Sequence, residues 1–253
     1  MKNFAITLLA MIFISHIIMA QRSAPDQIQT SKGAISIQPI LHATLALTWD
    51  GKTIYADPYG GAKAFEEIAP ADLILITDIH GDHMNLETLS AIETSKSIII
   101  APQAVAEKLP ENLKSKTVIL NNGGTTEQLG IRITAIPMYN LPEAEDSRHT
   151  KGRGNGYVIN LGGKNLYISG DTEDIQEMRS LKNIDIAFVC MNQPFTMTVE
   201  QAASAVLEFK PTIVYPFHFR GQGGYSDVDA FKKLVEAGNS KIEVRIRNWY
   251  PTY

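Results

Sequence analysis

Residues 72–83 read Asp72-Leu73-Ile74-Leu75-Ile76-Thr77-Asp78-Ile79-His80-Gly81-Asp82-His83. The first half is an apolar run of strand length and the second a polar turn. This predicts a cluster held at the C-terminal end of a buried strand. Two carboxylates and two imidazoles within six residues are hard to desolvate without a cation. Asp oxygen and His nitrogen together form an ordinary donor set for zinc and related ions. His80, Asp82 and His83 alternate around Gly81, whose missing Cβ permits the tight backbone.

Upstream, residues 34–40, 42–49 and 52–57 are strand-like, and Asp50-Gly51 joins the last two as a hairpin, so the chain opens as an antiparallel meander. Beyond the cluster, strand and helix alternate: helix near 86–94, strand 97–100, helix near 103–109. The order then restarts. Strands 131–137 and 156–161 lead through Gly162-Gly163 into 166–169 and Gly170-Asp171-Thr172. A helix near 174–181, strand 184–190 and a helix opened by Thr198, with Gln201 in capping-box spacing, follow. Strand 212–216 delivers His218, and helix 227–236 and strand 242–246 close the chain. Two such halves predict an α+β fold, two mixed sheets face to face with helices on the outer faces and the polar loops along one edge.

Asp171 and His218 each follow a predicted strand, repeating the placement of the first cluster, and are read as metal ligands. His149 lies in the polar loop 143–154 and supplies a third donor for a first ion, with Asn140 or Tyr139 as the alternatives. His42 and Asp57 stand behind the ligands, Asp57 as a carboxylate that orients an imidazole. The Gly-rich stretch 151–156 precedes a strand and not a helix. It therefore lacks the helix N-terminus of a phosphate cradle and is predicted to be a flexible active-site loop. Lys151, Arg153 and Arg220 are candidates for holding a substrate anion. No Gly-x-Ser-x-Gly elbow occurs.

Residues 1–20, with Lys2, the apolar run 4–19 and Ala20, read as a cleavable export signal, too short to suit a bilayer span of roughly 20 residues. Removing them leaves 22 basic and 27 acidic side chains, a formal charge of −5, with no basic run, which excludes a nucleic-acid footprint. A secreted or periplasmic chain follows, with a flexible, disordered polar lead-in over 21–33, one domain over 34–253 and no stable membrane insertion after cleavage. The single cysteine, Cys190, falls in an apolar run and is predicted buried.

The motifs His42-Ala43-Thr44, Asp57-Pro58, Asp78 to His83, Ser169-Gly170-Asp171-Thr172, Thr196-Met197-Thr198 and Pro216-Phe217-His218 resemble those of the metallo-β-lactamase superfamily of hydrolases. Within it, the pattern is most similar to the branch of ascorbate-6-phosphate lactonase-like and N-acylphosphatidylethanolamine phospholipase-like proteins. The resemblance implies an αββα sandwich. It also implies a first ion at Asp78, His80 and His149, a second at Asp82, His83 and His218, and Asp171 between them. The family's usual motif has His where this chain has Asp78. A carboxylate there is a harder donor, favouring manganese, iron or magnesium relative to zinc, and leaves open a single ion at the second position. The expected chemistry is hydrolysis of a small-molecule ester, lactone or phosphodiester assisted by one or two divalent ions, zinc first. Asp82 would orient the attacking water, and either a metal-bound water or Tyr225 would protonate the leaving group. Alternatives are a secreted binder with a degenerate first site and an iron-dependent oxidoreductase of the same fold.

Overall fold

The computed structural model describes residues 22–253; the expected export signal, residues 1–20, lies outside the described residues. In 73–76, Leu73 and Leu75 face one hydrophobic core while Ile74 and Ile76 face another. Such a strand belongs at the centre of a sheet covered on both faces. The first sheet pairs in chain order: β1 (Asp26–Thr30), β2 (Gly33–Leu41), β3 (Thr44–Trp49), β4 (Lys52–Ala56), β5 (Leu73–Leu75), β6 (Ile98–Ala101) and β7 (Thr117–Ile119). From β1 to β4 the pairing is antiparallel and from β4 to β7 parallel. Helices α1 (Leu86–Ala91), α2 (Gln103–Ala106) and α3 (Glu111–Lys114) cover its outer face, packing Leu89, Val105 and Leu113 against Tyr55, Ile74 and Ile99.

The second half repeats this plan. It contains β8 (Thr125–Gln128), β9 (Ile131–Met138), β10 (Gly154–Leu161), β11 (Lys164–Ile168), β12 (Ile186–Cys190), β13 (Ile213–Phe217), a small hairpin β14 (Arg220–Gly221) and β15 (Gly224–Tyr225), and β16 (Glu243–Val244). Its sheet runs β16-β13-β12-β11-β10-β9-β8, antiparallel from β8 to β11 and parallel from β11 to β16. Helices α4 (Gln176–Arg179), α5 (Val199–Phe209) and α6 (Val228–Gly238) provide its outer layer. The capping box predicted at Thr198 and Gln201 starts α5. The predicted αββα sandwich is thus the observed architecture. Among the described residues no helix is long and apolar enough to cross a membrane.

The inner faces meet in one core that includes Ile35, Leu45 and Leu73 from the first sheet and Ile133, Tyr157 and Ile159 from the second. Each fully buried Ile or Leu there contributes about 2 kcal/mol by area. Polar bonds also cross between the halves. Asn155 donates its backbone N–H to Thr77 O (2.9 Å), and the buried Tyr157 hydroxyl donates to Ile76 O (2.8 Å).

Two expectations are corrected. The polar lead-in over 21–33 contains β1, whose Ile28 packs on the core while neighbouring residues stay outward, as an edge strand allows. The Gly-rich stretch is not a flexible loop over its whole length, because Gly154 and Gly156 lie inside β10. A Cβ on Gly154 would sit 2.8 Å from Thr77 O, and one on Gly156 2.8 Å from Ser169 O. Gly154 lets the backbone of the first cluster lie against the second sheet, and Gly156 lets β10 and the end of β11 approach closely within that sheet.

Candidate metal centre

Most of the site sits at the C-terminal ends of parallel strands, the usual ligand edge of such sheets, while His42 comes from the β2–β3 turn and His149 from the β9–β10 loop, both antiparallel connections. Asp57 follows β4, residues 77–83 follow β5, Asp171 follows β11, Asn192 follows β12 and His218 follows β13. The two sheets present these ends side by side. Asp171 is the meeting point: His83 Nε2 and His149 Nε2 each lie 3.3 Å from its Oδ2, and His218 Nε2 lies 3.1 Å from its Oδ1. All four residues are buried.

The donor atoms group in three sets, Asp78, His80 and His149; His83, Asp171 and His218; and His42, Asp82 and His218. Several lack protein partners. His149 Nε2 and Asp171 Oδ1 are buried without a hydrogen bond, and so is His80 Nδ1, although it lies 2.8 Å from Asp78 Oδ2. An unsatisfied buried polar atom costs about 1–3 kcal/mol. His83 and His218 moreover point their Nε2 atoms at each other across 3.2 Å. A proton on one of them, or a cation in its place, keeps the two nitrogen lone pairs from facing each other. Orphaned N and O donors that converge in this way fit divalent ions of the zinc, manganese or iron kind.

The electrostatics agree. Burial opposes charging of His83, but the charges of Asp171 and Asp57 and their hydrogen bonds outweigh it and hold its pKa well above the ordinary imidazole value. Burial likewise opposes ionisation of Asp171, yet the charges of His218 and His83, with the close approach of His149 and His218, hold its carboxyl well below the usual range. Asp82 is similarly depressed against its burial by His42, His83 and His218.

Asp57 takes the role expected of it. It is buried, accepts from Thr77 N (2.8 Å) and Thr77 Oγ1 (2.6 Å), and holds His83 Nδ1 at 2.8 Å, so that Nε2 faces the centre. His42 stands closer to the ligands than expected, its Nε2 3.2 Å from Asp82 Oδ2 and its ring 3.8 Å from that of His218. The Tyr250 hydroxyl accepts Arg220 N–H (2.8 Å) and has its own proton to give to His42 Nδ1 at 3.1 Å. This places the imidazole proton on Nε2, facing Asp82. Burial, opposed by Asp82, pushes His42 down to about 4, so the ring is neutral near pH 7.

His149 is the third donor of the first set, and Asn140 supports it, its Oδ1 2.8 Å from His149 N and 3.1 Å from His149 Nδ1. Tyr139 turns away and donates to Glu177. At Asp78 the carboxylate is gripped by Arg153, Nε to Oδ1 at 3.0 Å and Nη2 to Oδ2 at 2.9 Å. Burial raises the Asp78 pKa, but the contact with His80, the charge of His83 and Arg153 hold it at about 2. A carboxylate and a guanidinium together carry no net charge, as a neutral imidazole does. The pair therefore keeps the charge that a histidine would have given while one lone pair of each oxygen is already taken.

Three sequence expectations need correction. Arg153 is bound to Asp78 and not free for a substrate anion. Lys151 is paired with Glu143 and Glu177. Tyr225 is exposed at the β15 hairpin, packed on Phe219 and Tyr250, and does not line the cleft above the ligands. That cleft, about 280 Å³, is lined by His42, Asp82 and Asp171 below and by Arg148, Phe195 and Arg220 among others above. Sequence reasoning missed Arg148, Tyr250 and Asn192. Asn192 Nδ2 lies 3.3 Å from His218 Nε2, and its place just past an apolar strand was a readable signal. Cys190 is buried as expected.

Residues 54–219 match a family model described as a beta-lactamase superfamily domain. A metal-dependent hydrolase of the UPF0173 group from Thermococcus onnurineus is 34% identical over 84% of this chain and 96% of its own length. A solved protein from Parabacteroides distasonis, assigned provisionally as a metal-dependent hydrolase, is 39% identical, covering 88% of this chain and 97% of that one with a TM-score of 0.76. Igni18, a metallo hydrolase from Ignicoccus hospitalis, shares the fold at 22% identity, with a TM-score of 0.71 over 87% of this chain and 96% of that one.

Proposed function

Because the chain belongs to the metallo-β-lactamase superfamily, we propose that it is a metal-dependent hydrolase of a small-molecule ester, lactone or phosphodiester, working outside the cytoplasm. The observation that carries this reading is the convergence of three imidazole nitrogens on Asp171, with buried donors left unpaired. One or two divalent ions, when bound, lower the pKa of water toward 7 and polarise the electrophile. The chain's own residues fix the geometry. Asp57 and Asn140 orient His83 and His149, and Asp171 stands between the two groups, with Oδ2 beside His83 and His149 and Oδ1 beside His218. Asp82, steadied by the Nε2 proton of His42, accepts a hydrogen bond from the attacking water, and the small cleft suits a compact substrate.

The test is metal content by inductively coupled plasma mass spectrometry beside hydrolysis of aryl ester, lactone and phosphodiester substrates, for wild type, Asp171→Asn and His218→Ala. Bound divalent ion and turnover in wild type, both lost in the variants, support the hydrolase. Full turnover in variants stripped of metal removes it. The grip of Arg153 on Asp78 favours a second reading, a binder that retains one ion and no turnover; bound iron with oxygen-dependent turnover would mean an oxidoreductase. Export by residues 1–20 is tested by sequencing the N-terminus of the mature chain, expected at Gln21.

A further inference from the structure

Among the described residues, Arg153 is tied to Asp78, Arg179 to Asp174 and Glu208, Arg245 to Glu243 and Arg247 to Asp26. Arg148 and Arg220 differ. Both are exposed and both line the cleft beside Asp82 and Asp171, yet neither forms an ion pair with those carboxylates. Each is held over an aromatic ring instead, Arg148 with Cζ 4.3 Å from the Phe195 centroid and Arg220 with Cζ 4.8 Å from that of Tyr250. A guanidinium lying on a ring keeps its charge and its in-plane N–H donors for another partner.

The wall that carries Arg220 is fixed from behind. Its N–H donates to the Tyr250 hydroxyl, Gln222 N–H donates to Gln193 O (2.9 Å), and a Cβ on Gly221 would lie 1.7 Å from that same oxygen. Beyond His149 a second cavity, about 290 Å³, is lined by Glu143, Glu145 and Lys151, the lysine being neutralised by its acidic partners. The mouth of the site is therefore polar in the electrical sense, acidic on one side and carrying on the other two guanidiniums with no acidic partner among the described residues.

We propose that Arg148 and Arg220 together bind an oxyanion of the substrate, a phosphate or carboxylate group, and so select anionic substrates for the cleft. The inference rests on the hydrolase reading only for there being a bond to cleave. The experiment is isothermal titration of zinc-loaded protein with methylphosphonate and with glutarate, in wild type, Arg148→Met, Arg220→Met, the double variant and Arg132→Met. Arg132 is exposed on β9 and controls for loss of one positive charge. Loss of one charge-assisted contact should weaken binding about tenfold, and loss of both about a hundredfold, with zinc content unchanged and Arg132→Met like wild type. The better of the two probes identifies the oxyanion. Equal affinity in wild type and the double variant overturns the proposal, as does failure of both probes to bind wild type. Arginine-dependent binding without turnover leaves this inference standing and removes the hydrolase. Turnover of a neutral aryl ester, with no arginine-dependent binding, does the reverse.

Discussion

Arg153→Met separates the two things that Arg153 does. The guanidinium makes two charge-assisted hydrogen bonds, at 3.0 and 2.9 Å, to a carboxylate with no exposed surface, and its own side chain is only 18% exposed. Removing one partner of a buried pair costs about 3–5 kcal/mol, since the other charge remains. Arg153 touches solvent, so the lower figure applies. For a domain above 200 residues about 3 kcal/mol lowers the melting temperature by roughly 6–12 °C. That loss belongs to the metal-free protein. A divalent ion at Asp78, His80 and His149 re-pairs the stranded carboxylate, and binding to the folded state alone adds stability as RT ln(1 + [L]/Kd). Melting curves of chelator-treated and zinc- or manganese-titrated protein should therefore show a wider gap between metal-free and loaded forms in Arg153→Met than in wild type. The double variant Asp78→Asn with Arg153→Met, which strands no charge, should lose much less in the metal-free state. A variant that melts lower by the same amount with and without metal would refute the reasoning and leave Arg153 a purely structural residue.

Asp57→Asn removes the carboxylate behind His83 Nδ1 and should weaken metal binding about 10–100-fold in competition with a chromophoric chelator, with the fold retained. Asp26 anchors β1 to the far end of the chain through Arg247 (2.7 Å) and Tyr215 (2.7 Å). Burial pushes its carboxyl up, but hydrogen bonds from Arg247 and Tyr215 and the charges of Arg247 and Arg245 outweigh it, and the pKa is lowered. A depressed carboxylate stabilises the fold above its unfolded pKa, near 4, and that contribution is lost as pH falls through the folded value. Wild type should thus lose denaturation midpoint below about pH 4 more steeply than Asp26→Asn, which starts lower and stays flatter. Burial pushes the Cys190 thiol up to about 12, so a disulfide reagent should titrate no thiol in the native protein and one per chain after denaturation.

The strands of both sheets were legible where apolar runs met clear turns, as at Asp50-Gly51 and Gly162-Gly163, and the loop 77–83 fixed the ligand edge by itself. β1 was not legible because an edge strand needs one apolar face only, and Asp-Gln-Ile-Gln-Thr offers a single apolar residue. β7 and β8 are short and half-exposed for the same reason. At the site, Asp78, His80, Asp82, His83, Asp171 and His218 declared themselves by their place at strand ends. The contacts that decide their behaviour are long-range. Arg153 lies 75 residues from Asp78 and Tyr250 208 from His42, and no local pattern in one sequence encodes such pairings. Gly154 and Gly156 were misread because close approach of another backbone and a mobile loop call for the same residue.

Each sheet is built from one unbroken half of the chain, and neither half owns a whole donor set. The first contributes His42 and residues 77–83, the second His149, Asp171 and His218. Order of assembly follows from that division. No ion meets its full coordination until the second sheet has been made and has closed on the first, so loading is the last event in the life of a new chain. If residues 1–20 carry the polypeptide across a membrane unfolded, it arrives empty and takes its ion from the compartment where it folds. Metal supply there, as much as donor chemistry, then decides which ion the protein holds.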